Sequence, residues 1–339
     1  MPFEIVRNDI AKMRVDAIVN TANTKPIVGP GTDHAIHAAA GAELLKARQR
    51  IGVIPAGEAA ITPAFGLDAK YVIHTVGPRW YGGNHQEKRL LRRCYDTALA
   101  LAHRYGCQSI AFPLISAGAH GFPGDVALQV ATEAFKAFLE REDMMIYLVV
   151  FNREAFRLSE ELRFRVTSYI DEHYVAAKLQ ETRRLYRSRR REDLEEKMEA
   201  PMMAPMMAPS ILGGMSLREM LEQTDAGFTE TLLKYIDRTG EKDSVIYKRA
   251  NVSKQHFSKI HNNLQYKPTK ETALAFAVAL RLNLRQTKDL IGRAGYTLTN
   301  SSKFDIIVRY FIENGNYNLY DINATLFEFD QPLLGSKVN

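Results

Sequence analysis

The chain has 339 residues, of which 46% are hydrophobic and 25% are charged, a composition typical of globular proteins and unlike that of disordered or fibrous chains. Its length favours two domains. The net charge of +6 suits a polyanionic partner. No apolar run approaches the roughly 20 residues of a membrane span, and the charged N-terminus lacks the apolar core of a signal peptide. We therefore expect a cytoplasmic protein with no membrane partner.

The cysteine content excludes two further classes. Cys94 and Cys107 are the only cysteines in the sequence, too few for a disulfide framework or for a zinc site built from CxxC pairs. Both are expected to be small buried hydrophobic residues. No other cluster of metal-ligating residues is visible, so we predict neither a metal nor a cofactor.

In chain order, residues 1–170 alternate short apolar runs with longer helical patterns. The predicted strands are Phe3–Val6, Ala17–Val19, Tyr71–Thr75, Ser109–Phe112 and Met145–Phe151. The predicted helices include Glu87–Arg104 and Gly124–Glu140. Such alternation predicts an α/β sandwich around a mixed, largely parallel sheet.

The chain then changes character twice. Residues 171–215 combine the arginine-rich end of a charged, helix-like stretch (Glu154–Arg191) with a Pro/Met/Ala segment that predicts an extended linker. We interpret the charged stretch as a solvated helical face rather than as a nucleic-acid-binding arm. Residues 216–339 are helical in pattern and predict an all-α domain.

Two glycine-rich loops follow predicted strands in the first domain. Segment Val15–Gly41 contains a strand, an Asn-rich exit, a loop with Gly29 and Gly31, and a helix that begins near Asp33. The second loop, Ser116–Phe122, also lies between a strand and a helix. Small residues at strand ends and a free helix N-terminus favour a bound diphosphate. Neither GxGxxG nor GxxxxGK[ST] is present, which disfavours dinucleotide-dependent dehydrogenases and P-loop enzymes.

These segments together resemble the macro domain family. The resemblance rests on NTAN with VGPGTDHAIHAAAG, on Gly57–Pro78, on Phe112–Pro123 and on Asn8–Ile10, in the family's order and spacing. It is closest to the hydrolytic, MacroD-like branch and covers about half of the chain. The resemblance implies a three-layer α/β sandwich that binds ADP-ribose or an ADP-ribosylated protein.

At the adenine end, the resemblance implies four residues. Asp9 would accept the adenine amino group, Ile10 would donate its amide, Phe151 would stack on the ring, and Asn152 would line the pocket. Without the resemblance, an Asp at position 9 is more commonly a helix N-cap or part of a surface turn, and an aromatic residue at position 151 is more often part of the core.

For the diphosphate and the distal ribose, the resemblance implies the two glycine-rich loops. The implied contacts are Gly29, Gly31, Thr32, Ser116, Ala117, Gly118, Ala119, His120, Gly121 and Phe122, the last five through their amides. His120 stands where the family usually has an aromatic residue, and a structural role for its ring is the alternative to a contact with the ribose.

Asn23 and Asp33 match the two catalytic positions of the hydrolytic branch. There the Asn contacts a distal-ribose hydroxyl, and the Asp orients or activates water near the anomeric carbon, where a carboxylate can stabilise an oxocarbenium-like state. The alternative for Asp33 is a helix cap. Pro30, Thr32 and Thr21 depart from the family pattern, and Pro30 removes one backbone donor.

The expected activity is hydrolysis of acyl-linked ADP-ribose, from an Asp- or Glu-modified protein or from an O-acetyl compound. Two alternatives stay open. One is a non-catalytic reader of ADP-ribosylated targets. The other is a regulator or de-ADP-ribosylase associated with nucleic acid through the helical domain.

The helical domain contains a candidate helix-turn-helix that resembles those of repressors. Ser244–Ala250 would form the first helix, Asn251–Val252 the turn, and Ser253 the N-cap of the second helix. The candidate contacts to DNA or RNA are Lys248, Arg249, Lys254, Gln255, His256 and Lys259. The alternative is a domain for protein contact, with its basic residues merely solvated.

Overall fold

The computed structural model describes residues 3–151, 166–170 and 226–335. Six strands form one sheet in the order β1-β6-β5-β2-β4-β3. The strands are β1 (Phe3–Arg7), β2 (Val15–Thr21), β3 (Ala59–Pro63), β4 (Ala69–Thr75), β5 (Ser109–Pro113) and β6 (Met145–Val150). All neighbouring pairs are parallel except β3 with β4. This confirms the predicted mixed, largely parallel sheet.

Helices cover both faces of the sheet. They are α1 (Thr32–Ala40), α2 (Ala42–Ile51), α3 (Glu87–Arg104) and α4 (Gly124–Leu139), with a short 3-10 turn at Ile10–Lys12. In β2, Ala17 and Val19 belong to the core beneath α3 and α4, whereas Ile18 belongs to the core beneath α1. Since all three are fully buried, the central strand is apolar on both faces and the predicted three layers are confirmed.

One strand, β3, is not predicted by the sequence pattern. The edge strand β3 is mostly half-buried and ends at Pro63, so it shows neither an apolar run nor a clean alternation. It forms because β4 offers it a complete antiparallel partner, from Ala59 opposite Thr75 to Pro63 opposite Tyr71.

The second half of the described chain is helical, as predicted. Its helices are α5 (Phe228–Thr239), α6 (Asp243–Arg249), α7 (Lys254–His261), α8 (Lys270–Ala279), α9 (Leu284–Gly292), α10 (Lys303–Glu313) and α11 (Leu319–Glu328). Helix α8 is buried along its whole length after the first two residues and forms the centre of this domain. Residues 166–170 are helical and contribute Val166 and Ile170 to the same core. The predicted domain bounds stay a prediction.

Helices α6 and α7 lie where the helix-turn-helix was expected. Ser253 caps α7, with its Oγ accepting a hydrogen bond from the His256 amide at 3.2 Å. Phe257 and Ile260 face the domain core. The likeness to repressor domains stays a prediction.

Several predicted features fall on residues outside the described ranges. They are Asn152, the charged stretch from Glu154 onward except for residues 166–170, and the Pro/Met/Ala linker. Cys94 and Cys107 are both buried and free, as expected, and burial raises the pKa of the Cys94 thiol to about 11. Within the described part of the chain, no helix combines the length and apolarity needed to cross a bilayer.

Candidate functional site

The candidate site lies at the carboxyl-terminal ends of the five parallel strands of the sheet. The segments that leave these strands are Asn8–Asp9 after β1, Phe151 after β6, Leu114–Ser116 after β5, Ala22–Asn23 after β2 and Val76–Pro78 after β4. Because carboxyl ends of parallel strands meet at one edge, all the predicted ADP-ribose contacts in the described ranges are brought to this side.

Asp33 lies in the first turn of α1 and is almost fully buried. Its Oδ2 accepts a hydrogen bond from the Gly29 amide at 2.6 Å, and its Oδ1 accepts one from Asn20 Nδ2 at 2.6 Å. The carboxylate therefore shapes the loop that precedes the helix, and the helix N-terminus favours its charge. Asp33 does not cap α1, because the N-cap is Gly31 and no amide of the helix donates to the carboxylate among the described residues.

Asn23 is exposed, and its side-chain amide donates to the Ile27 carbonyl at 2.8 Å. Gly29 separates it from Asp33. A methyl group on Gly29 would lie 2.8 Å from Asn23 Nδ2 and 3.5 Å from Asp33 Oδ2. The structure thus brings the two predicted catalytic side chains next to the same glycine, near the position that its missing side chain would occupy.

A buried polar chain supports Asp33 from within the sheet. Asn20 Nδ2 lies 3.2 Å from His74 Nδ1, and His74 Nε2 lies 3.0 Å from Thr62 Oγ1. Since Asn20 donates, His74 must accept through Nδ1 and carry its proton on Nε2. Burial, assisted by the positive charge of Arg48 and by His37, lowers the pKa of His74 to about 3. The ring is therefore neutral at physiological pH.

His37 and Arg48 complete this cluster. His37 Nε2 lies 3.4 Å from Asp33 Oδ1. Burial lowers the pKa of His37, and the nearby Arg48 charge lowers it further, against the opposing effect of Asp33. Arg48 is buried and donates to the carbonyls of Gly52, Asn23 and Thr24, which fixes the loop after β2.

The second loop, Ser116–Phe122, is partly closed on itself. The Phe122 amide donates to the Ser116 carbonyl at 3.1 Å, and the Gly121 amide donates to Gly118 at 2.9 Å. Among the described residues, the amides of Gly118, Ala119 and His120 have no acceptor. The expected contact with a diphosphate then depends on these three donors rather than on five.

Ser116 adopts a left-handed conformation with φ of 65°. Its hydroxyl is buried, and no described residue offers it a hydrogen-bond partner. A side chain at Gly77 would collide with this hydroxyl, so the ends of β4 and β5 approach one another only because Gly77 is a glycine.

A third loop, residues 79–86, packs against the second. Trp80 packs against Phe122 in a tilted arrangement with ring centroids 4.6 Å apart, and its backbone amide donates to the His120 carbonyl at 2.9 Å. His120 Nδ1 lies 3.2 Å from the Pro78 carbonyl, so its ring also joins the two loops. This contact matches the structural alternative for His120.

Glu87 holds the third loop from the start of α3. Its carboxylate accepts hydrogen bonds from the amides of Tyr81 at 3.1 Å, Gly83 at 3.1 Å and His85 at 2.5 Å. Burial alone would raise the pKa of Glu87, but these amides outweigh it and the pKa is lowered. The loop is thus built around an ionised carboxylate.

At the predicted adenine end, Asp9 caps the 3-10 turn, with Oδ1 accepting from the Ala11 amide at 3.0 Å. Ile10 is buried. Phe151 is 78% exposed, which excludes core packing and leaves a large aromatic ring at the sheet edge. Asp9 and Phe151 follow the neighbouring strands β1 and β6.

The N-terminus of α1 faces the same edge. Gly31 precedes the helix with φ of 72°, a conformation that favours glycine, and Thr32 begins it. Pro30 is exposed beside them. The loop therefore keeps its turn despite the proline, at the cost of one amide.

The residues that sequence reasoning missed are Asn20, Arg48, His74, Trp80 and Glu87. Their weak signals were a polar Asn and His within apolar strands and the one tryptophan of the chain. The sequence does not predict that they contact one another or the site, because the contacting residues lie up to 54 positions apart in the chain.

The candidate nucleic-acid residues fall into two groups. Lys248 Nζ lies 3.5 Å from Asp143, Arg249 pairs with Glu241, and His256 Nε2 lies 2.8 Å from the Tyr266 hydroxyl. The other three are exposed on α7: Lys254, Gln255 and Lys259.

Comparison with known proteins finds relatives for the first half of the chain. The family model described as "Macro domain" matches residues 19–131. A macro domain-containing protein of Methanosarcina mazei is 48% identical over 155 residues, which is 45% of this chain and 83% of that protein. A protein named O-acetyl-ADP-ribose deacetylase from Citrobacter koseri is 45% identical over 47% of this chain and 94% of its own length.

A solved structure of the Oceanobacillus iheyensis macrodomain with ADP covers 49% of this chain and 92% of that one, at 38% identity and a TM-score of 0.45. The three-layer sandwich with polar loops at the carboxyl edge of its sheet defines a ligand-binding α/β class. Within that class, the chain belongs to the macro domain family.

Proposed function

We propose that the macro domain binds ADP-ribose across the carboxyl edge of its sheet and hydrolyses acyl-linked ADP-ribose. The observation that carries the proposal is the pairing of Asn23 and Asp33 around Gly29. Relatives named O-acetyl-ADP-ribose deacetylase, 45% identical to this chain, support a reaction on ADP-ribose esters. The finer assignment to protein-linked esters is our own.

The adenine would lie between Asp9 and Phe151, and the diphosphate between the two glycine-rich loops. Three free amides, at Gly118, Ala119 and His120, offer donors to phosphate oxygens. Asn23 would contact the distal ribose. Its side-chain amide would exchange the internal bond to Ile27 for a ribose hydroxyl.

In the proposed reaction on an ester at the anomeric carbon, a water oxygen bonds to that carbon while the bond from the carbon to the acyl oxygen breaks; an acetyl ester on another ribose hydroxyl would instead be attacked at its acyl carbon. The electron pair leaves with the carboxylate, and the water proton passes to Asp33. Within the described ranges Gly29 is the one donor to Asp33 Oδ2, so this oxygen keeps a lone pair for water. A carboxylate leaving group needs no strong acid, which agrees with a single catalytic carboxylate.

The test offers the full chain acyl-linked, serine-linked and O-acetyl ADP-ribose and measures free ADP-ribose. We expect turnover of the esters, and we expect Asp33→Ala to lower kcat by about 100-fold or more with ADP-ribose binding still measurable. Asp243→Ala is the matched control, since Asp243 also lies in the first turn of a helix but in the other domain.

Water labelled with ¹⁸O identifies the bond that is cut. Attack at the anomeric carbon leaves the released carboxylate unlabelled, whereas attack at the acyl carbon labels it. Binding of ADP-ribose without any turnover would replace the hydrolase with a reader, and equal turnover by Asp33→Ala would exclude the catalytic role of that residue.

A second candidate function is contact with nucleic acid through α7. The specific observation is that Lys254, Gln255 and Lys259 are exposed on one short helix capped by Ser253. We expect the full chain to bind duplex DNA or RNA with an affinity that falls steeply with salt, and Lys254→Ala with Lys259→Ala to weaken it about 10-fold.

Lys234→Ala is the control for this measurement, because Lys234 is a helical lysine already paired with Glu230. If the double variant and the control bind equally, or if no binding is seen at low salt, α7 is not a nucleic-acid contact.

A further inference from the structure

Strand β1 lies at one edge of the sheet, with β6 as its neighbour. An edge strand presents unpaired backbone N–H and C=O groups on its outer side. In this chain, the outer side of β1 is covered by the helical domain.

The turn between α6 and α7 supplies the hydrogen bonds. The Phe3 amide donates to Asn251 Oδ1 at 2.7 Å, and Asn251 Nδ2 donates to the Phe3 carbonyl at 2.8 Å. The side-chain amide thus takes the place of the peptide that a further strand would provide. Asn251 is buried and has φ of 57°, a left-handed conformation that Asn tolerates better than most residues.

Apolar packing seals the same interface. The Phe3 ring lies 5.2 Å from Phe135 of the macro domain and 5.5 Å from Tyr320 of α11, measured between centroids. Ala324, one turn further along α11, is 3% exposed and belongs to the core of the macro domain. The two domains therefore share part of one core.

The helical domain also contacts the other end of β1, at Arg7. Arg7 lies 3.2 Å from Asp330, and its guanidinium lies over the Phe327 ring, 5.5 Å from the centroid. Asn8 and Asp9 follow at once, and Asp9 is the residue predicted to accept the adenine amino group. The contact surface thus ends next to the adenine end of the candidate site.

We propose that the helical domain regulates the ADP-ribose site by docking on β1. The docked domain fixes the strand at Phe3 and at Arg7, and so fixes the backbone that presents Asp9 and Ile10 to adenine. This proposal rests on the proposed binding of ADP-ribose. Weakening the contact between the helical domain and β1 would weaken binding of the nucleotide. Bound nucleotide would in turn favour the docked state by the same factor in its equilibrium constant.

The decisive variant is Asn251→Gly, because glycine keeps the left-handed turn and removes only the amide. Asn314→Gly is the matched control, since Asn314 also donates from its side chain to a backbone carbonyl, that of Tyr310, within the helical domain. Asp330→Asn is a milder second variant that weakens the half-exposed pair with Arg7.

Two readouts are taken on the full chain: hydrogen exchange at the Phe3 amide and the Kd of ADP-ribose by calorimetry. We expect Asn251→Gly to speed exchange by about 10-fold or more and to raise Kd by a factor of about 3 to 10, within the range of typical coupling. Asp330→Asn should shift both in the same direction by less, and the control should shift neither.

Faster exchange with an unchanged Kd would overturn the coupling while leaving the proposed function intact. Unchanged exchange would show that Asn251 does not hold the dock and would overturn the proposal at its first step. Failure of the wild-type chain to bind ADP-ribose would instead overturn the proposed function, and the coupling with it.

Discussion

At the scale of single residues, the catalytic carboxylate of the proposal depends on buried polar groups behind it. Asp33 is held by Asn20, and Asn20 is held in turn by His74 on the adjacent strand β4. Buried polar groups are costly unless they are paired, so each member of this chain is needed by the next. The catalytic proposal therefore extends to side chains that never meet the substrate.

The low pKa of His74 has a consequence for stability. Folding lowers this pKa from 6.5 to about 3, so between these values the unfolded chain binds a proton that the folded chain does not. The free energy of unfolding should therefore fall as the pH drops below about 6, by up to about 1.4 kcal/mol per pH unit from this group.

The His74→Gln variant tests this prediction by urea unfolding at several pH values. At pH 7.5 it should be less stable by about 1–3 kcal/mol, because Asn20 loses one of the two acceptors of its side-chain amide and the buried contact with Thr62 is lost. The difference from wild type should shrink as the pH falls toward 4. A constant difference for His74→Gln would contradict the buried neutral ring.

At the scale of elements, the loop of residues 79–86 owes its shape to the helix that follows it. Three amides of the loop converge on Glu87 in the first turn of α3, and Trp80 then packs on Phe122 in the second glycine-rich loop. The helix N-terminus and the loop thus act together in placing the amides expected to meet a diphosphate.

We expect Glu87→Gln to loosen this loop, because the uncharged amide replaces a carboxylate that accepts three amides. Trp80 fluorescence should become more quenchable, and the thermal midpoint should fall. Since folding lowers the pKa of Glu87, its contribution is present above the ordinary value of 4.5 and is lost at lower pH. The variant and the wild type should then converge in acid.

Glu43→Gln is the control for this loop, since Glu43 is also in the first turn of a helix but its ion-pair partner among the described residues is the exposed Lys46. An unchanged Trp80 signal in Glu87→Gln would mean that the loop is held by its aromatic packing alone.

At the scale of the whole molecule, the sequence predicted what depends on local pattern. Apolar runs such as that around Ile18 gave the strands, and Ser253 gave the start of α7. Edge strand β3 was not predicted because its half-buried residues show no alternation of apolar and polar side chains. The assignment of roles to Asn23, Asp33 and the loop residues stays a prediction from resemblance.

The docking of the two domains had no signal in the sequence. Phe3 and Asn251 are 248 positions apart, and each looked ordinary where it stood, as a strand residue and as a turn residue. Hydrogen bonds of this kind arise only when distant elements meet. For the same reason the sequence gives no sign that Arg7 contacts Asp330 and Phe327.

The Asn251 amide beside Phe3 has a meaning for solubility as well. A bare strand at the margin of a sheet is a template on which another molecule can add its own strand, and such growth leads to aggregates. Here the Asn251 side chain pairs with the strand at Phe3, and Tyr320 of α11 packs beside it. A fragment cut down to the macro domain would lay it open, so the helical half also serves as a shield against self-association.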